Sequence, residues 1–250
     1  MTSPPIAPIR VWSHDDQPFA RVLVICAHPD DVDFGCSATV AAFVKAGIEV
    51  AYCIATDGEA GGSDRSQSRA DMAAVRRREQ TAAAAAVGVS DIRFLGFPDG
   101  RLVASLELRR EFTRAIREFM PDLVIASSPE RRWDVIFASH PDHLAAGEAA
   151  VDAVYPDARN PFAHPELLEE GLEPFTVPAL WLMVGPGSNV AVDVTETLDR
   201  KVAALACHES QGASDPSMAG RMADWARGNA ANAGLPDGRM AELFFSVSTG

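Results

Sequence analysis

No apolar run in this sequence approaches the ~20 residues that a membrane-spanning helix needs, so no membrane partner is expected. Basic residues are in deficit, 22 against 35 acids, giving a formal net charge of −13. That balance argues against a general nucleic-acid binder, which needs a basic patch, and against docking on anionic lipid. Cysteine is scarce: Cys26, Cys36, Cys53 and Cys207 stand alone, with no CxxC pair. Packed free thiols are therefore expected rather than disulfides, and any metal would be held by His and Asp instead of a thiolate cage. The opening residues lack the charged-then-apolar order of a signal peptide, which points to a cytoplasmic protein. Also missing is a G-x-G-x-x-G loop after the first strong strand. Residues 27–35 carry acids there, which would repel a pyrophosphate, and a nucleotide-binding module is disfavoured.

What is present is an ordinary globular composition, 250 residues at 47% hydrophobic and 23% charged, enough for one α/β domain with ample core. Residues 1–20, with three prolines in the first eight positions, read as a surface arm ahead of a domain over 21–250. Short apolar strands are expected at 21–26, 48–55, 92–95, 122–127, 179–184 and 242–247, with 189–194 as a short edge strand. Helices are expected at 40–45, 68–87, 106–120, 144–154 and 195–207, the last capped by Thr195, with a weaker helical pattern at 217–232. Strands alternating with helices imply a mostly parallel sheet covered on both faces. No repeat or linker interrupts it, so the expectation is a single domain.

Two stretches share one grammar. Ala27-His28-Pro29-Asp30-Asp31 follows the first buried strand, and His140-Pro141-Asp142-His143 opens a helix further on. A lone Asp at such a turn would be a helix cap; two His-Pro-Asp clusters at strand ends are more than capping requires. His28 and Asp31 are three apart, as are His140 and His143, a spacing that lets side chains at a helix start point the same way. His28, Asp31 and one of the two later histidines give three N/O ligands, the number a catalytic zinc uses while leaving a place for water. The remaining Asp30 suits a general base. The remaining histidine suits an acid or an oxyanion partner. These are the parts of a metal-dependent amide hydrolase.

The chain resembles the LmbE-like (PIG-L) deacetylases over residues 21 to about 211. The resemblance rests on the two clusters, on Thr56-Asp57-Gly58-Glu59, on Arg76 with Glu79, on Gly96-Phe97-Pro98-Asp99-Gly100, on Gly147, and on Asp193-Val194-Thr195 with Lys201 and His208-Glu209-Ser210-Gln211. It implies a Rossmann-like fold and a zinc-dependent hydrolase acting on non-peptide C–N bonds, removing an acetyl or related acyl group from a GlcNAc-type amino-sugar conjugate. It implies one Zn2+ per chain, with Fe2+ as the alternative in the cell, and a homo-oligomer. By the same resemblance His28, Asp31 and His143 are the metal ligands and Asp30 is the base. His140 polarises the oxyanion or serves as acid, with Asp142 orienting it. Arg76 and Asp99 contact the sugar. The family usually places Glu directly after the Asp-Asp pair; here Val32 stands there, with an acid one residue later at Asp33. Residues 131–139 are long and apolar for the family and read as shaping a distinct acceptor pocket. That segment and the acidic loop 57–64 leave an amidase acting on a non-sugar thiol or antibiotic conjugate as the second reading. His208 is expected to be a structural surface histidine.

Overall fold

The computed structural model describes residues 8–62, 64 and 66–249. In chain order the strands are β1 (Arg10–Val11), β2 (Arg21–Cys26), β3 (Glu49–Thr56), β4 (Asp91–Phe97), β5 (Leu123–Ser127), β6 (Ala179–Met183), β7 (Val190–Asp193) and β8 (Ala241–Ser248). The helices are α1 (Asp31–Gly35), α2 (Ser37–Lys45), α3 (Arg69–Ala86), α4 (Leu106–Phe119), α5 (Pro141–Asp152), α6 (Pro165–Glu169), α7 (Leu198–Ala206) and α8 (Ser217–Asn232). Local chemistry sets several ends. Ser68 caps α3 by accepting from Asp71 N, and Ser105 caps α4 by accepting from Leu108 N, each satisfying an amide that the helix leaves free.

The strands form one sheet in the order β1-β7-β8-β6-β5-β2-β3-β4. Pairings are parallel except where β8 runs antiparallel between β6 and β7. The alternation along β2 separates two cores. Val22, Val24 and Cys26 pack with Phe43 of α2 and Ala83 of α3. Leu23 and Ile25 pack with Leu108, Phe112 and Ile116 of α4 and with Ala149 of α5. Side chains point alternately to the two faces of a strand, and both faces here are covered, as the apolar composition of the central strands requires. The mostly parallel α/β expectation holds.

Three sequence expectations change. Part of the expected arm belongs to the sheet: β1 pairs in parallel with β7, and Trp12 lies 4.9 Å from Phe43 and 6.0 Å from Phe19, centroid to centroid. The apolar area of one indole outweighs the proline-rich composition ahead of it; residues 1–7 of that arm lie outside the described residues. β7 is consequently not an edge strand. α7 starts after Thr197 rather than at Thr195 and has no side-chain cap: Thr197 Oγ1 donates to Ala38 O at 2.8 Å, and Thr195 Oγ1 donates to Asp193 Oδ1 at 2.6 Å.

Strand order places the site. From β2 the sheet grows through β3 and β4 to one side and through β5 and β6 to the other. β2 and β5 are direct neighbours, Ile25 opposite Ala126, and the two His-Pro-Asp clusters follow these two strands. A reversal of strand order leaves a crevice beyond the carboxyl ends, where ligands bind in open α/β sheets. Gly147 lets α5 lie close to β5: a Cβ there would fall 2.5 Å from Ser127 O.

Candidate active site

The turn after β2 is closed by its own carboxylate. Asp31 Oδ2 accepts from Ala27 N at 3.1 Å and His28 N at 2.8 Å. The other oxygen, Oδ1, lies 3.0 Å from His143 Nε2. His143 Nε2 lies 3.1 Å from His28 Nδ1, which is 3.7 Å from Asp31 Oδ2. His143 Nε2 thus stands between His28 Nδ1 and Asp31 Oδ1, and the ring nitrogens of His28, His140 and His143 also gather within 4.8 Å of one another. Asp31 caps the turn and faces the cluster with different oxygens, so the capping role and the ligand role do not compete.

The far side of the His28 ring explains its orientation. Nε2 meets Asp99 Oδ1 at 3.1 Å and Asp142 Oδ2 at 3.3 Å. Two acceptors at one nitrogen keep the proton there and leave the Nδ1 lone pair for the centre, the usual support for a metal-ligating histidine. Burial alone would lower the proton affinity of His28, but its bonds to Asp142, Asp31 and Asp99 outweigh it and push its pKa up to about 12. Burial opposes ionisation of Asp31 too, yet His143 and His28 hold its carboxyl well below the usual range. The carboxylates of Asp31, Asp99 and Asp142 gathered around these imidazoles mark a place that calls for positive charge. The donor set, neutral imidazole nitrogen and carboxylate oxygen, suits a divalent transition metal.

Asp30 adopts φ 99°, the left-handed region, uncommon for a residue with a side chain. Gln80 Oε1 holds it there by accepting from Asp30 N at 2.7 Å. Arg76 Nη2 pairs with Asp30 Oδ2 at 3.2 Å and donates to Pro29 O. Burial raises the Asp30 carboxyl to about 6, with Arg76 pulling the other way. Arg76 is itself buried beneath the loop after β3, where a Cβ on Gly61 would fall 2.6 Å from Arg76 Nη1.

His140 caps α5. Its Nδ1 accepts from Asp142 N at 3.2 Å, with Pro141 in the first turn, where a missing N–H costs nothing. Its ring centroid stands 5.1 Å from that of His28 and 5.4 Å from that of His143. Burial and those two imidazoles hold its pKa below the usual value. With Nδ1 accepting, the neutral ring carries its proton on Nε2.

All eight sequence-selected residues fall in one neighbourhood, and three of them make contacts that the sequence did not indicate. The Asp142 carboxylate does not orient His140: it accepts from Gly100 N at 2.7 Å and Leu102 N at 3.2 Å and reaches His28. Asp99 has both oxygens engaged, Oδ1 by His28 and Oδ2 by Ala60 N at 2.8 Å. Arg76 lines the cavity, with its Nη2 paired to Asp30.

His208 is a correction. It is fully buried, with Nε2 2.8 Å from Asp33 Oδ2. Asp33 also accepts from Gln80 Nε2 at 2.9 Å, so a chain of contacts runs from His208 through Asp33 and Gln80 to the Asp30 backbone. Composition gave no sign of it. The available signal was the acid at Asp33 where the family pattern is shifted, together with the His208-Glu209-Ser210-Gln211 motif.

Comparison with known proteins identifies similar chains. Residues 23–154 match the PIG-L family model, described as GlcNAc-PI de-N-acetylase. A diacetylchitobiose deacetylase of Thermococcus kodakarensis is 32% identical over 191 residues, spanning 76% of this chain and 70% of the relative. A probable N-acetyl-alpha-D-glucosaminyl L-malate deacetylase 2 of Bacillus anthracis is 30% identical over 198 residues, spanning 76% and 81%. The solved N,N'-diacetylchitobiose deacetylase of Pyrococcus horikoshii superimposes with TM-score 0.83 at 30% identity, over 95% of this chain and 87% of that one.

Proposed function

The chain belongs to the PIG-L family, and on that premise we propose that it is a zinc-dependent hydrolase removing an N-acetyl or related acyl group from an amino-sugar conjugate. The observation that carries the reading is the approach of His143 Nε2 to both His28 Nδ1 and Asp31 Oδ1, beside the half-buried carboxylate of Asp30. The amino-sugar substrates named for the relatives support the substrate class.

His28, Asp31 and His143 would hold the metal. Bound there, zinc acts as a Lewis acid and lowers the pKa of water toward ~7. Asp30 accepts a proton at Oδ1, the oxygen that Arg76 leaves free, and passes it to the departing amine. His140 Nε2–H donates to the oxygen that gains negative charge as the amide carbonyl is attacked. Asp99 and Asp142 fix the His28 tautomer. Gln80 and Arg76 fix the Asp30 backbone and carboxylate, so that neither reacting group has to reorganise.

The test is acetate release. Zinc-loaded protein incubated with N-acetylglucosamine glycosides is expected to produce acetate and a primary amine in equal amounts. No acetate from any sugar, with cleavage of a non-sugar amide conjugate instead, would replace this reading with the thiol- or antibiotic-conjugate amidase.

A further inference from the structure

The cavity over His28, Asp31 and His143 has a volume of about 1030 Å³, at the upper end of the ~300–1,000 Å³ that small-molecule sites occupy. A single amino sugar leaves much of it free. Part of the remaining wall comes from α8, outside the span of the family match. Met218, Arg221, Met222 and Trp225 line it. Their spacing puts them on one face of the helix. Met218 and Met222 pack with Phe34 of α1, which ties this wall to the metal-side helix. Trp225 stays 40% exposed, although its ring also receives Lys201 Nζ at 5.3 Å.

Charge on this wall is positive in an acidic chain. Among the described residues Arg221 donates only to Met218 Sδ, at 3.7 Å, a weak partner for a guanidinium. Arg132, in the loop after β5, also lines the cavity, paired with Asp134. Acids crowd the metal side, where Asp30, Asp31 and Asp99 line the same space. An anionic substituent would be repelled there and attracted at α8.

We propose that the α8 wall, with Met218, Met222, Trp225 and Arg221, is a subsite for an apolar, anionic aglycone, such as an aryl or alkyl group bearing a carboxylate. This rests on the amino-sugar deacetylase reading and narrows its substrate. A second sugar is the poorer occupant: its hydroxyls would lose water against two thioethers and an indole that offer few partners. Methionine and tryptophan surfaces instead favour a flat apolar group, and methionine adapts to its outline.

The experiment compares four substrates of the zinc-loaded full chain: the methyl, phenyl and 4-carboxyphenyl glycosides of N-acetylglucosamine, and N,N'-diacetylchitobiose. The phenyl glycoside is expected to exceed the methyl glycoside and the disaccharide in kcat/KM by about tenfold, from the ring area buried. The 4-carboxyphenyl glycoside should gain roughly a further fivefold from a charge-assisted bond. Arg221→Gln should erase that last ratio, and Trp225→Ala should compress the phenyl-to-methyl ratio. Calorimetric titration of the same compounds into metal-free protein should give the same order of affinity. A disaccharide handled as well as the phenyl glycoside, or a carboxylate preference that survives Arg221→Gln, overturns the subsite. Deacetylation of none of the four by protein that holds its metal overturns the underlying reading instead, and the two failures are thereby distinguished.

Discussion

His208 Nε2 lies 2.8 Å from Asp33 Oδ2, and neither side chain reaches solvent. The pair links the segment after α7 to α1, and through Gln80 it reaches the left-handed backbone of Asp30. Removing one member leaves the other buried without its partner. Asp33→Ala is expected to cost about 3 kcal/mol of stability, read as a lower urea midpoint at unchanged slope. Asp33→Asn keeps the size and an acceptor and should cost less. Equal stability for Asp33→Ala and the wild type would remove the pair from any structural role.

Metal content tests the ligand set. Protein purified and offered zinc should hold about one ion per chain by mass spectrometry, the stoichiometry of a mononuclear catalytic site. His143→Ala should lose it while keeping its circular dichroism spectrum. Absence of metal from both would mean that the atoms converging on His28 Nδ1 do not form a site.

Asp30 separates binding from turnover. Asp30→Asn should retain the metal and lower kcat by roughly 10²–10⁴, the usual worth of a positioned proton acceptor. Full activity in that variant would dismiss Asp30 as the base.

Gly61 guards the ion pair at Asp30. Its Cα faces Arg76 so closely that a Cβ would fall 2.6 Å from Nη1. Gly61→Ala should displace the guanidinium and reduce kcat by about tenfold, while stability changes by no more than ~1 kcal/mol, because the loop itself is at the surface. A drop in stability with kcat unchanged would contradict this account.

Gly147 tests the approach of α5 to β5. A Cβ there meets backbone, Ser127 O at 2.5 Å, rather than a side chain that can swing away. Gly147→Ala is therefore expected to destabilise by about 1–3 kcal/mol, measured by chemical denaturation, despite the higher helix propensity of alanine.

The local grammar of the fold was legible. The apolar run of β2 and the stripe Leu108, Phe112, Ile116 each specify an element from residues a few positions apart, and each element formed. One error arose where a distant contact outweighed local composition, and another where a bond between near neighbours competed with a helix cap. Trp12 drew part of a proline-rich stretch onto the core beside Phe43. The Thr195 hydroxyl, taken up by Asp193, left the start of α7 to Thr197.

The sequence alone determined the chemistry available: two His-Pro-Asp clusters, an acid beside each candidate ligand, and a strand preceding each cluster in an alternating α/β chain. Ligand type and helix-start spacing are properties of neighbouring residues, so they could be read directly. Tertiary structure decided what that chemistry becomes. Only the strand order sets β2 beside β5 and brings His28 within 3.1 Å of His143, 115 positions along the chain. Only packing turns the Asp142 carboxylate to His28 instead of His140, buries His208 on Asp33, and stands Met222 and Trp225 over the same cavity as the metal-side acids. Those contacts join residues from separate elements, and their geometry is fixed by how helices cover a twisted sheet, which no local pattern encodes.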